Sequence, residues 1–180
     1  ILQGWDHLLF LICLMALATM PRKIFLAVTG FTIGHSFTLA AASLNFLTLP
    51  VIYVETLISL SIVLVCLELL QSERKTLSRS YPVLISLFFG LVHGLGFANE
   101  LISIGFPEGG IVAALLFFNL GVEAGQIVFV IPVMLLVYAV QKFNGSAYNF
   151  YKNMSYKFIF YTIGLVACYW FIERSMQFSV

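Results

Sequence analysis

The stretch PVLISLFFGLVHGLGFA, residues 82–98, decides what kind of molecule this is. Its one ionisable side chain is His93, set among Gly90, Gly94 and Gly96 in an otherwise apolar run. Hydrocarbon penalises a charged side chain at the centre of a helix by roughly 2.5–3.5 kcal/mol, so an ionisable residue there marks a functional site by default. Glycines at mid-membrane let backbones approach closely, which would bring this histidine to a tight helix–helix interface.

The rest of the chain has the same character. Of 180 residues, 61% are hydrophobic and 9% charged, with a mean hydropathy of +1.03. Soluble domains carry about 25% charged residues, so this is an integral membrane protein. A net charge of +1 gives no reason to expect a nucleic-acid partner. Cys13, Cys66 and Cys168 are isolated in apolar runs without a CxxC pair, so neither a disulfide framework nor a thiolate metal site is expected.

Six segments have about the length that crosses a bilayer: Leu2–Met20, Ile24–Leu44, Pro50–Leu70, Pro82–Ala98, Ile111–Val140 and Tyr156–Ile172. The fold expected is all-α, one polytopic domain over residues 1–180 with six transmembrane helices. Pro50 and Pro82 stand at helix starts, Gly109-Gly110 breaks the chain, and Pro132 is expected to bend the fifth span. Basic residues gather in the odd loops: Arg22 and Lys23, then Arg74, Lys75 and Arg79, then Lys142, Lys152 and Lys157. The even loops have none, the fourth carrying Glu100 and Glu108, and only Arg174 falls on the other side. The positive-inside rule makes the odd loops cytoplasmic and turns both ends outward. Tyr148, Tyr151 and Tyr156 fit an inner interfacial belt, and Trp5, Tyr169 and Trp170 an outer one. A bacterial inner membrane is the expected location, with an extracytoplasmic region expected upstream of Ile1.

In that orientation Asp6, His7, Glu55 and His93 lie in the outer half of the membrane, with His35, Asn119 and Glu123 nearer its middle. A single polar cavity opening outward would hold them all. Asp6 and His7 are adjacent and point about 100° apart, so one can bind an ion while the other supports a neighbouring ligand. Thr32 and Ser36 flank His35, where a hydroxyl can orient the ring or line an ion path. Glu55 shares a face with Ser59. Asn119, Glu123 and Gln126 form one polar stripe, and a carboxylate as deep as Glu123 needs a cation or a proton. The pairs Gly30/Gly34, Gly90/Gly94 and Gly121/Gly125 each adjoin a buried polar group, predicting that the second, fourth and fifth spans pack around one site. His7, His35, His93, Asp6, Glu55 and Glu123 are the candidate metal ligands, with Ser36, Asn119 and Gln126 along the path or in support. Imidazoles with carboxylates suit nickel, cobalt, zinc or iron rather than magnesium or calcium. The residues do not rank nickel, cobalt and zinc.

The strings Gly4-Trp5-Asp6-His7-Leu8-Leu9-Phe10-Leu11, His35-Ser36-Phe37-Thr38-Leu39, Leu49-Pro50 with Val54-Glu55, Phe89-Gly90-Leu91-Val92-His93-Gly94-Leu95-Gly96-Phe97-Ala98, and Phe118-Asn119 with Gly121-Val122-Glu123 and Gly125-Gln126 resemble the membrane domain of HupE/UreJ-type proteins. The closest resemblance is to the larger subfamily, with an extracytoplasmic region ahead of six spans. It implies a secondary permease for nickel or cobalt. Family members often carry a further histidine upstream of the Asp-His pair, and the short permeases an acid soon after the histidine-glycine segment. Glu100 stands near that place but falls in or beside an outer loop.

Two functions compete. The first is a divalent-metal permease, secondary or passive because no GxxxxGK[ST] motif is present. The second is an intramembrane zinc hydrolase with three histidine ligands, Asp6 or Glu55 as general base and Ser36 as a supporting hydroxyl. The scarcity of polar residues in the cytoplasmic half beyond Gln126 weighs against a through-path. A membrane anchor is a third reading, but an anchor needs no buried histidines.

Overall fold

The computed structural model describes residues 4–18, 20–71, 77–105, 110–143 and 145–179. Among these are seven α-helices and no strand: α1 (Trp5–Ala18), α2 (Pro21–Ser43), α3 (Val51–Leu70), α4 (Leu77–Ser80), α5 (Pro82–Ile104), α6 (Ile111–Phe143) and α7 (Gly145–Met176), with a 3-10 turn at Gln177–Ser179. Local chemistry sets several of the boundaries. Pro21 and Pro82 open α2 and α5, and Pro50 is the cap residue of α3, positions where a missing N–H leaves no helical bond unmade. Asn45 adopts φ 60° just past α2, and Gly105 adopts φ 87° just past α5; both are left-handed stops. α6 runs through Pro132 without a break in the helix. Arg74, Lys75, Glu108 and Gly109 lie outside the described residues, as do the side chains of Glu100, Tyr148, Tyr151 and Lys152.

Contacts fix the direction of each long helix. Asp6 and Glu55 share Arg174, and Cys13 meets Cys66, so α1 and α3 run parallel. Gly30 abuts Val83, Gly34 abuts Leu87 and Leu91, and Gly94 abuts His35 and Thr38, so α2 and α5 run parallel. Gly96 faces Ile58 while His93 meets Ser61, which sets α3 against α5. Tyr53 with Phe178, Glu55 with Arg174, and Cys66 with Gly164 set α7 against α3. Thr32 meets Gln126, and Leu39 shares a cluster with Leu115, so α6 opposes α2. The long helices therefore alternate in direction along the chain. One end of the bundle gathers Asp6, Glu55 and Arg174, and the other gathers Arg22, Lys23, Arg79, Lys142 and Lys157.

Four helical stretches are long and apolar enough to cross a membrane: Pro21–Ser43, Val51–Leu70, Ile111–Phe143 and Met154–Met176. Trp5–Ala18 and Pro82–Ala98 are apolar but shorter. At about 1.5 Å per residue, a helix as short as α1 does not span a hydrocarbon core of about 30 Å unaided. Large apolar side chains point outward, Phe37 at 70% and Phe117 at 73% exposure, while His35 and His93 are fully enclosed. That inversion is what a lipid environment requires.

α2 and α5 make the most extensive helix pair. Its cause is glycine: a Cβ at Gly34 would collide with the Leu87 carbonyl oxygen, and one at Gly90 with the Phe31 carbonyl oxygen. The third expected glycine pair behaves differently. Gly121 faces open space, so α6 does not use it to approach α2. α6 instead buries the stripe Leu115, Val122, Gln126 and Val130.

Candidate functional site

Three helices deliver three imidazoles to one layer. His7 lies in the first turn of α1, His35 midway along α2, and His93 midway along α5. Two apolar clusters bound the layer. The larger holds Phe10, Phe31, Ile62, Cys66 and Val130, toward the basic end. The smaller holds Leu39, Ala42, Ala98, Leu101 and Leu115, toward the Asp6 end.

Aromatic rings hold the imidazoles. His7 and His93 meet edge to face with centroids 4.7 Å apart. Phe97 lies 4.3 Å from His7 and 5.1 Å from His35. Phe31 lies 5.2 Å from His93 and 6.1 Å from His35, and Phe10 lies 4.7 Å from His93. Among the described residues, aromatic rings rather than one open polar cavity surround the three histidines. A cavity of about 450 Å³ does lie at the same end of the bundle, but Ala42, Asn45, Thr48, Pro50, Val54 and Leu95 are among its walls and no candidate ligand lines it. The phenylalanines interleaved with the histidines fill the space instead.

The polar bookkeeping of this layer is unusual. His7 Nδ1 and Nε2, His35 Nδ1 and Nε2, and His93 Nδ1 are all buried without a hydrogen-bond partner among the described residues. Leaving a buried polar group unpaired costs about 1–3 kcal/mol. His93 Nε2 is 2.9 Å from Ser61 Oγ, and His7 lies against the His93 backbone. The Ser61 hydroxyl already donates to the Ile58 carbonyl oxygen at 2.6 Å. A hydroxyl has one proton, so His93 Nε2–H is the donor, and the lone pair sits on the unpartnered Nδ1. The Asn119 side chain comes up to His35, but Asn119 Oδ1 and both ring nitrogens stay unpartnered; Asn119 Nδ2 donates to the Leu115 carbonyl at 2.9 Å.

The carboxylates do not join the histidines. Arg174 Nη1 lies 2.9 Å from Asp6 Oδ2, and Arg174 Nε 3.5 Å from Glu55 Oε2. Glu123 is half-buried on α6. Gln126 accepts from Thr32 Oγ1 at 2.9 Å, one step nearer the basic end. Ser36 donates to the Thr32 carbonyl of its own helix at 2.6 Å. Among the described residues, no three or more His, Cys, Asp or Glu side chains have the arrangement of a metal site. Neutral imidazole nitrogens are donors of the kind that borderline transition-metal ions take.

Residue by residue, sequence reasoning missed Ser61 and the part played by Arg174. Ser61 is a small hydroxyl in an apolar run, two residues from the more conspicuous Ser59, and nothing in the run marks it. Arg174 carries a signal: it is the sole basic residue on the wrong side of the charge pattern.

The chain matches the family model described as HupE / UreJ protein over residues 1–174. It belongs to the HupE/UreJ family. With its apolar helices, this HupE/UreJ chain is a membrane protein. No curated protein and no solved structure matches it.

Proposed function

We propose that this HupE/UreJ chain is a six-span, multi-pass protein of a bacterial inner membrane that takes a divalent transition-metal ion as its substrate and acts as a secondary permease. The Asp6 end would face outward and the basic end the cytoplasm, as the positive-inside rule requires. The helix directions support this, because alternation carries Arg22, Lys23, Arg79, Lys142 and Lys157 to one end. The short α1 would be accommodated by local thinning or by flanking residues, at a modest cost.

One observation carries the metal reading: buried imidazole nitrogens from α1, α2 and α5 stand side by side without partners. Buried polar groups are paired as a rule, so nitrogens like these call for a partner, and an ion is one that fits. Neutral imidazole is a ligand for nickel, cobalt and zinc, and the family is associated with nickel and cobalt transport. In this reading His7, His35 and His93 form the binding layer. Asp6 and Glu55 attract the ion at the mouth. Asn119 and Glu123 flank the layer, and Thr32 with Gln126 is the first polar step inward.

The zinc hydrolase finds one supporting feature: beyond Gln126 the described residues toward the basic end pack as an apolar cluster. Its proposed general bases are engaged by Arg174, and Ser36 by a carbonyl. Ser61 and His93 stand at nucleophile–base distance, but the serine proton points to Ile58. The permease reading accounts for more of the site.

The test is titration of purified protein with nickel, cobalt and zinc, followed by uptake into proteoliposomes. Binding and uptake are expected in wild type and lost in His35→Ala/His93→Ala. Undiminished uptake in that double variant would refute the proposal.

A further inference from the structure

Arg174 is the cation already present at the mouth. Its guanidinium, from the last turn of α7, reaches two other helices. Nη1 donates to Asp6 Oδ2 at 2.9 Å and to the Glu55 backbone carbonyl at 3.0 Å. Nε lies 3.5 Å from Glu55 Oε2. The ring of Trp170, one turn back on α7, lies 5.7 Å from the guanidinium carbon and supports it from below. The pairs are only partly exposed, with side-chain accessibility of 18% for Arg174, 16% for Asp6 and 41% for Glu55.

These contacts sit at the head of the seam between α1 and α3. Asp6 directly precedes His7. Glu55 stands six residues, or about 9 Å of helix, from Ser61, which holds His93. The seam that Arg174 closes at the surface is therefore the one whose deeper part carries His7, His93 and Ser61. A hydrated divalent ion approaching His7 along it meets two carboxylates that already share one tethered guanidinium.

We infer that Arg174 is a built-in competitor for the incoming cation, a latch across α1, α3 and α7 that swings out of the Asp6/Glu55 pair when the seam opens to water. This rests on the outward-entry reading above. The attraction between guanidinium and carboxylates is the same one an arriving divalent ion would exploit, and its two charges would balance both carboxylates where the guanidinium balances one.

The experiment measures water access in metal-free protein, so it is independent of whether the histidine layer binds metal. A thiol is placed in the seam by His7→Cys with Cys168→Ala, and modification at position 7 by a small cationic and a small anionic thiosulfonate is followed by mass spectrometry. Adding Arg174→Gln should accelerate the cationic reagent about tenfold, the factor corresponding to about 1.4 kcal/mol. The anionic reagent should gain less, because two carboxylates are freed. Arg174→Lys should remain close to the parent. The buried Cys13 and Cys66 serve as the control for general loosening. An unchanged rate at position 7, or equal acceleration at Cys66, overturns the latch. If the latch fails while wild-type protein still binds metal, the permease reading survives it.

Discussion

Ser61 Oγ lies 2.9 Å from His93 Nε2, and its own proton is committed to the Ile58 carbonyl oxygen. A serine of α3 thereby sets the tautomer of a histidine on α5 and leaves the lone pair on Nδ1. Ser61→Ala removes the acceptor and leaves a buried N–H unpaired, which should destabilise the protein by about 1–3 kcal/mol. Outer partners of metal-binding histidines are worth about 10–100-fold in affinity, so nickel or cobalt binding should weaken within that range. Ser36→Ala is the contrast. Its hydroxyl is bonded within its own helix, and its loss should change stability by less than about 0.5 kcal/mol. Thermal unfolding in detergent and metal titration check both.

The glycines of the α2–α5 interface should be intolerant, and Gly121 should not. Alanine at Gly34 or Gly90 meets a backbone carbonyl that has no rotamer to yield. Overpacking of this kind costs about 1–3 kcal/mol or more. Gly121→Ala meets nothing within 4 Å and should be neutral or stabilising by up to about 1 kcal/mol, the helix-propensity difference. Midpoints of thermal unfolding for the three variants give the order directly.

Cys13 and Cys66 offer a check on the packing of α1 against α3. Their sulfurs are 3.6 Å apart in the core, although the sequence shows them as isolated residues. A disulfide needs about 2.05 Å, a short closure for two side chains that already face one another. Oxidation with a membrane-soluble oxidant should yield a linked peptide pair containing Cys13 and Cys66, leaving Cys168 free. A link from Cys13 to Cys168 in place of Cys66 would contradict the packing of α1 on α3 at this level.

Thr32 and Gln126 should show coupling without large individual effects. Gln126→Leu removes the nearer acceptor of Thr32 Oγ1, whose single proton can then turn to the Val28 carbonyl 3.2 Å away. The expected cost is about 1 kcal/mol. A double-mutant cycle with Thr32→Val should return a coupling energy of about 0.5 kcal/mol or more, as neighbouring residues in one network do. Strict additivity would place the two side chains out of contact.

Much of the architecture was legible before any coordinates. The segment beginning at Pro82 reads as an apolar helix because it offers hydrocarbon almost nothing else, and α2, α3 and α6 begin and end within a few residues of the apolar runs. The boundaries that moved did so for local reasons. α5 continues past Ala98 to Ile104 because nothing stops it before Gly105, whose positive φ ends the helix. α7 begins well before the apolar run, in the polar residues from Gly145. Hydropathy reports where lipid is tolerated, and a helix is free to extend beyond that limit into water.

The histidines stood out as candidates because burial of an imidazole is costly wherever it occurs, and His35 and His93 are indeed buried. The carboxylates were not separable from them by sequence. Asp6, Glu55 and Glu123 share with the histidines both rarity and depth, and depth along the membrane normal is all that a count of helical residues provides. Lateral position depends on which helix faces which.

The amino-acid sequence by itself determined that this chain is a helical membrane protein, where its long apolar helices lie, and which few polar side chains they carry inward. Those follow from local composition and the cost of placing polar groups in hydrocarbon. Only the tertiary structure decided that Arg174, from the far end of the chain, takes Asp6 and Glu55, and that Ser61 takes His93. Partners drawn from different helices are chosen by packing, and packing is settled by backbone approach at positions such as Gly34 and Gly90 rather than by any run of residues read in order.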